Sequence, residues 1–235
     1  MPVSSQEPIR NHLLANISRQ ALRQMANALE EVDLEYGQVL YEPEGQIRHV
    51  YFPLDCLVSL LTAVDKRRTL EVGMVGSEGM VGMPMALGIG VSAVRALVQG
   101  GGSAMRMTAA HFRVEFNRNL PLQRALFRYN HLLMAQISQT AACNRFHESG
   151  PRLARWLLMT RDRLHADEFR LTHEFLSHML GIRRAGVSEA ASLLEQKKLI
   201  DYSRGNIRIL NDKALEGAAC SCYRIVKDLQ DNTQV

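Results

Sequence analysis

The chain has 235 residues, 46% of them hydrophobic, 22% charged and 6% aromatic, with a formal net charge of +4 at pH 7. That length supports two domains or one large one, and the composition is that of a folding chain, which excludes intrinsic disorder. The charge permits an anionic partner without requiring one. No apolar run approaches the ~18 residues of a membrane span, and the N-terminal MPVSSQEPIRN lacks the apolar core of a secretion signal, so a cytoplasmic protein without membrane contact is expected.

Residues from about 10 to 31 carry Leu13, Ile17, Leu22, Met25 and Leu29 at three-to-five spacing, which predicts a short helical region. From Leu34 to Met107 the texture changes to short β-type runs: QVLY, IRHVYFP, CLVSLLTAV, TLEVGMV, VSAVRALVQ and SAMRM. Turn residues at Glu44-Gly45, Asp65 to Arg68 and Gly100 to Gly102 separate them, and the pattern predicts an all-β barrel or sandwich. Nine of the 16 glycines fall between Gly73 and Gly102, a band that reads either as a binding cradle or as barrel corners.

After Thr108 the period is helical again. AAHFRVEFNRN stops at Pro121, and an uninterrupted stretch from Leu122 to His147 follows, roughly 39 Å long at about 1.5 Å per residue. Leu122, Leu126, Tyr129, Leu133, Ile137 and Thr140 recur at spacings of four and three, a near-heptad seam that predicts a dimerisation helix. Ser149-Gly150-Pro151 breaks it and starts PRLARWLLMTRDRL, amphipathic on Leu153, Trp156, Leu157 and Leu164.

The next block, LTHEFLSHMLGIRRAGVSEAASLLEQKKLIDYSRGNIRIL, carries the strongest signal. Thr172 is suited to cap a short helix through Leu180, and Gly181 to end it. A second helix is predicted from about Arg183 to Gln196, burying Val187, Ala190, Leu193 and Leu194. LIDYSR and NIRIL straddle Arg204-Gly205 as a β-hairpin, so the unit reads as a winged helix-turn-helix. A helix dipole favours anions at its start, yet Arg183 and Arg184 sit there. DNA resolves the conflict, because phosphates and base edges supply the compensating acceptors, and an arginine bridges guanine O6 and N7. Thr172, His173, Arg183, Arg184, Gly186, Ser188, Glu189 and Arg204 are the predicted DNA-binding residues. The small Ala185, Gly186 and Ser188 allow close approach. The competing reading is a solvated basic face, since Arg183 to Arg208 holds six Lys or Arg against three acids.

The four cysteines, Cys56, Cys143, Cys220 and Cys222, are too few and too scattered for a disulfide framework and read as reduced thiols. Cys220-Ser-Cys222 has the chemistry to clamp a soft metal, but no nearby second pair completes a tetrahedral set, so neither a metal site nor a cofactor is predicted.

On these motifs the chain resembles the Crp/Fnr family of bacterial transcription regulators over nearly its full length, most strongly at LTHEFLSHMLGIRRAGVSEAASLLEQKKLI. The resemblance implies an α+β architecture: an N-terminal β jelly roll of the cyclic-nucleotide-binding kind (1–121), a long dimerisation helix (122–147) and a C-terminal winged helix-turn-helix (148–235). Arg184 falls where the family usually carries a base-reading arginine. Ala185 stands where glutamate is frequent and Glu189 where a second arginine is common, so the target is expected to differ from the familiar half-site. A homodimer on a two-fold symmetric double-stranded DNA site is implied, with RNA polymerase as a further partner.

The effector domain departs from the family pattern. Members that bind cyclic AMP carry Gly-Glu for the ribose and Arg-Ser for the phosphate. Here GSEGMVGMPMALGIGVSAVRAL puts Met83 near the glutamate position and Val91 near the arginine, which disfavours cyclic-nucleotide sensing; Glu78 and Arg95 substitute only if the alignment slips. Iron-sulfur sensing needs four thiolates near this domain, where only Cys56 and Cys143 fall. His49, His111 and His131 are candidate haem ligands but read as surface or core histidines. No catalytic residue is predicted, and the small-molecule effector is left unassigned. Two alternatives stand beside the regulator: a cupin-like jelly-roll enzyme, which needs clustered His and carboxylate ligands where the strands offer His49 and a separated His111, and a ligand-free β scaffold with constitutive DNA binding.

Overall fold

The computed structural model describes residues 10–63, 65, 68–203 and 205–233. The apolar spacing near the N-terminus produces two short helices, α1 (His12–Ala15) and α2 (Arg19–Met25). Asn11 and Ser18 cap them by accepting the N–H groups of Leu14 and Ala21. Asn11 is fully buried, and its amide donates to the carbonyls of Pro53 and Gly79 at 2.9 and 3.0 Å, so one side chain both starts the helix and fixes it to the β region. Residues Glu30–Leu34 form strand β1, which the predicted helical region overran.

The six runs predicted as strands are β2 (Val39–Tyr41), β3 (His49–Pro53), β4 (Leu57–Ala63), β5 (Thr69–Val75), β6 (Arg95–Gly100) and β7 (Gly102–Thr108). They form two sheets, in the orders β1-β7-β3 and β2-β6-β4-β5. Glu30 lies opposite Arg106 in the β1–β7 register and accepts its Nε–H at 2.6 Å. Phe52, Leu57, Met80 and Met107 are fully buried in the interior.

Thr108 caps α3 (Ala109–Arg118), and α4 (Leu120–Phe146) follows with Pro121 in its first turn and Asn119 Oδ1 accepting the Leu122 N–H at 3.0 Å. The chain divides into two compact units: one takes the residues up to Leu60, Met74–Met134 and the end from Gln230, and the other takes Leu61–Gly73 and Ala135–Leu229.

The predicted dimer seam lies on α4. Leu122, Leu126, Tyr129, Leu133 and Thr140 are buried within the single chain and Ile137 is half-buried. The Tyr129 ring presses on Gly79 so closely that a Cβ there would stand 2.0 Å from it. The near-heptad face is thus covered within the single chain. The large apolar residues that α4 leaves exposed are Leu120, Phe127, Met134 and Phe146, and Leu120, Phe127 and Met134 are spaced by sevens.

In the second unit, α5 (Ser149–Leu164) buries Leu153, Trp156, Leu157 and Leu158. After it come β8 (Glu168–Arg170), α6 (His173–Leu180), α7 (Arg184–Gln196), β9 (Ile200–Ser203), β10 (Asn206–Ile209), α8 (Asp212–Ala218) and α9 (Cys222–Thr233). β8 adds a third strand to the predicted hairpin, in the order β8-β10-β9. The segment Leu61–Gly73, the outer part of β4 and β5, belongs to this unit, where Glu71 accepts the indole N–H of Trp156 at 2.8 Å. No helix among the described residues is long and apolar enough to cross a membrane.

Candidate nucleic-acid interface

Helices α6 and α7 are set by local chemistry. Thr172 Oγ1 accepts the Phe175 N–H at 3.1 Å and starts α6. Gly181 ends it at φ +61°, a left-handed conformation that favours glycine, and a Cβ there would also stand 2.6 Å from Leu70 Cδ1. Two residues later Arg183 takes the N-cap position of α7 in extended conformation, with no side-chain cap bond.

The buried stripe of α7 is Val187, Ala190, Ala191 and Leu194, an i, i+3, i+4, i+7 set. Leu193, predicted in the core, is instead 49% exposed, because it lies off that stripe. The opposite side presents Arg183, Arg184, Ala185, Glu189 and Ser192 to solvent. Neither arginine makes an ion pair among the described residues, so two full cationic charges stand at the positive end of a helix dipole. Gly186 is half-buried, and a Cβ there would meet only Ile182 at 3.8 Å, so the chain's own packing does not demand glycine at this point.

His173 and Ser188, both predicted to bind DNA, meet each other within the chain. Ser188 Oγ lies 2.9 Å from His173 Nδ1 and donates to the Arg184 carbonyl at 3.2 Å. The His173 ring stacks on Tyr202 with centroids 4.6 Å apart, and Tyr202 donates its hydroxyl to the Leu171 carbonyl at 3.0 Å. These contacts tie α6 to α7 and to the wing strand β9. The pair therefore positions the reading helix. Burial, reinforced by the nearby Arg184 charge, pushes the His173 pKa below its ordinary value, which keeps the ring neutral near pH 7. Arg208 pairs with Asp201 at 3.4 Å within the hairpin, and the predicted contact Arg204 lies outside the described residues.

In the β unit, Met83 is buried in a short 3-10 turn, Met83–Leu87, flanked by the left-handed Gly82 and Gly88 at φ +104° and +80°. Val91 is exposed and bridges to Gln46. Arg95 is paired with Glu42 at 2.7 Å, and Glu78 accepts the Gly76 N–H at 3.1 Å. His49 lies beside Tyr51, His111 Nδ1 is 3.1 Å from the capping Thr108 hydroxyl, and His131 is exposed.

The cysteines separate into two groups. Cys56 is buried in the β unit, and burial pushes its thiol pKa up to about 12. Cys143, Cys220 and Cys222 meet in the second unit, together with His147. The sequence offered no second pair for Cys220 and Cys222; Cys143 in the last turn of α4 and His147 just after it supply one at i, i+4 spacing.

Residues 151–218 match the Crp-like helix-turn-helix domain. No curated protein matches the chain. Its fold is similar to that of a Eubacterium rectale chain assigned to the Crp/Fnr family of transcriptional regulators, at TM-score 0.69 and 14% identity over 88% of this chain and 96% of that one. It is also similar to FixK2 from Bradyrhizobium japonicum, at TM-score 0.69 and 15% identity, covering 82% and 98%. A third similar structure is a transcriptional regulator of the CRP family from Thermus thermophilus, at TM-score 0.66 and 17% identity, covering 80% and 97%.

Proposed function

We propose that this chain, which carries a Crp-like helix-turn-helix domain on the fold of Crp/Fnr regulators, is a homodimeric, sequence-specific DNA-binding transcription regulator of the cytoplasm, not an enzyme. The observation that carries the reading is the pair Arg183 and Arg184, exposed and without ion pairs among the described residues at the start of α7, where the helix's own electrostatics disfavour them. A major groove compensates that cost: Arg184 reads a guanine edge and Arg183 meets phosphate, with Thr172 at the start of α6 near the backbone. Gly186 supports close approach, and Glu189 is the exposed acid through which the half-site departs from the family's.

The self-partner surface we assign is the exposed stripe Leu120, Phe127 and Met134 on α4. A two-fold arrangement of two reading helices then demands a two-fold symmetric DNA site. The effector unit spans 1–121, the dimerisation helix 122–147 and the DNA-binding domain 148–235. Buried Met83 and exposed Val91, with Arg95 already paired to Glu42, support a β unit that takes no cyclic nucleotide. A small-molecule effector of another class acts only as far as it prefers one arrangement of the DNA-binding domains, and RNA polymerase is the downstream protein partner.

The test is selection from random duplex DNA with purified protein at two salt concentrations. Enrichment of a two-fold symmetric motif is expected. Retention that is steeply salt-dependent yet free of any motif overturns sequence-specific binding, because phosphate contacts alone produce it.

A further inference from the structure

Cys143, His147, Cys220 and Cys222 each bring one ligand atom to a common point, and these four atoms all lie within 4.8 Å of one another. Cys143 Sγ is 3.4 Å from Cys220 Sγ, and His147 Nδ1 is 3.5 Å from Cys222 Sγ. A tetrahedral zinc ion, with Zn–S about 2.3 Å and Zn–N about 2.0 Å, sets ligand edges of about 3.8 Å between sulfurs and about 3.5 Å between sulfur and nitrogen. The spacing is thus that of four ligands around one ion. It is far longer than the ~2.05 Å of a disulfide, and all four cysteines are free thiols. It is also too tight for an iron-sulfur cluster, whose thiolates are spread by ligating several irons.

The surroundings fit the same chemistry. The three thiols form a buried group composed of cysteines alone, and His147 is half-buried at its edge. Gln139 Nε2 donates to Cys222 Sγ at 3.0 Å, the kind of outer hydrogen bond that orients a metal ligand. Arg155, 6% exposed, holds Nε and Nη1 buried without a hydrogen-bond partner among the described residues, within electrostatic reach of Cys143 and Cys220. Three thiolates and a neutral imidazole around a divalent ion carry a net charge of −1, which that guanidinium balances. A surface depression lined by Glu216, Gly217, Cys220 and Arg224 gives access from solvent.

The structure assigns to Cys143, His147, Cys220 and Cys222 a mononuclear Cys3His site for a soft divalent metal ion, zinc being the cation that its geometry fits. Cys143 and His147 come from the end of α4, and Cys220 and Cys222 from the junction of α8 and α9, so the ion cross-links segments about 75 residues apart in sequence. Within the second unit it fixes the start of α9 to the last turn of α4.

The experiment is elemental analysis of the full chain, purified anaerobically with reductant, followed by Co2+ titration of chelated protein. One zinc per chain is expected, with intense thiolate-to-cobalt absorption at one equivalent. Cys143→Ser and Cys222→Ser should each cut the bound zinc at least tenfold, whereas Cys56→Ser should leave it unchanged. His147→Cys should keep zinc and shift the cobalt spectrum, which guards against a variant that merely fails to fold. Chelated protein with its Trp156 emission intact and no cobalt uptake overturns the proposal. So does an iron-sulfur chromophore in place of zinc.

Discussion

Trp156 donates its indole N–H to Glu71 at 2.8 Å, with both side chains buried, and so fixes the outer part of the β4–β5 hairpin to α5. Trp156 is the chain's single tryptophan and reports on this contact directly. Glu71→Ala leaves a buried indole donor without its acceptor, at a cost of about 1 to 3 kcal/mol. Urea unfolding followed by Trp156 emission should show that loss together with a red-shifted native spectrum. An unchanged midpoint would remove the contact from the account of this unit's stability.

Arg184→Ala should weaken binding to the selected duplex by about 1 to 3 kcal/mol and relax preference at one position of each half-site. Arg183→Ala should instead weaken all sequences alike and lower the salt slope by about one. Fluorescence anisotropy against the selected motif and single-base variants separates the two.

Met134→Asp places a charge on the exposed stripe of α4 and should yield folded monomers in sedimentation, with weakened binding to a symmetric site. Leu133→Asp charges a buried position and should destabilise the unit itself, by about 3 kcal/mol or more. If the Met134 variant remains dimeric, the stripe is not the dimer surface.

His173 has a folded-state pKa below its unfolded value, so the unfolded chain binds more protons across the interval between them. Its contribution is therefore fully present above pH of about 6.5 and is lost as pH falls from there through the folded pKa. Melting between pH 7.5 and 5.5 should show a decline that His173→Phe, which keeps the stacking on Tyr202, flattens.

The helix-turn-helix was legible because each device in it is local: the Thr172 cap, the left-handed Gly181 and the i, i+3, i+4 burial in α7 all lie within a few residues of each other. The six predicted strands were legible for the same reason. β1 was not, since three of its five residues are acidic and its order comes from pairing with β7 about 70 residues away. The seam on α4 was legible as a covered face, because apolar periodicity reports that a face is buried and does not say by what. The Cys3His group was invisible in the sequence because Cys143 and His147 lie 73 or more residues before Cys220, and tertiary structure alone brings the pairs together.

Leu120, Phe127 and Met134 repeat every seven residues, whereas a straight α-helix turns once in about 3.6, so a strict seven-residue stripe drifts by ~20° per repeat. A second copy that follows the stripe along α4 must wind around it with left-handed supercoil. The pitch of that winding links the two chains' rotation to their separation. A small change in the crossing of the paired helices is thereby geared into a rotation of whatever each helix carries at its far end.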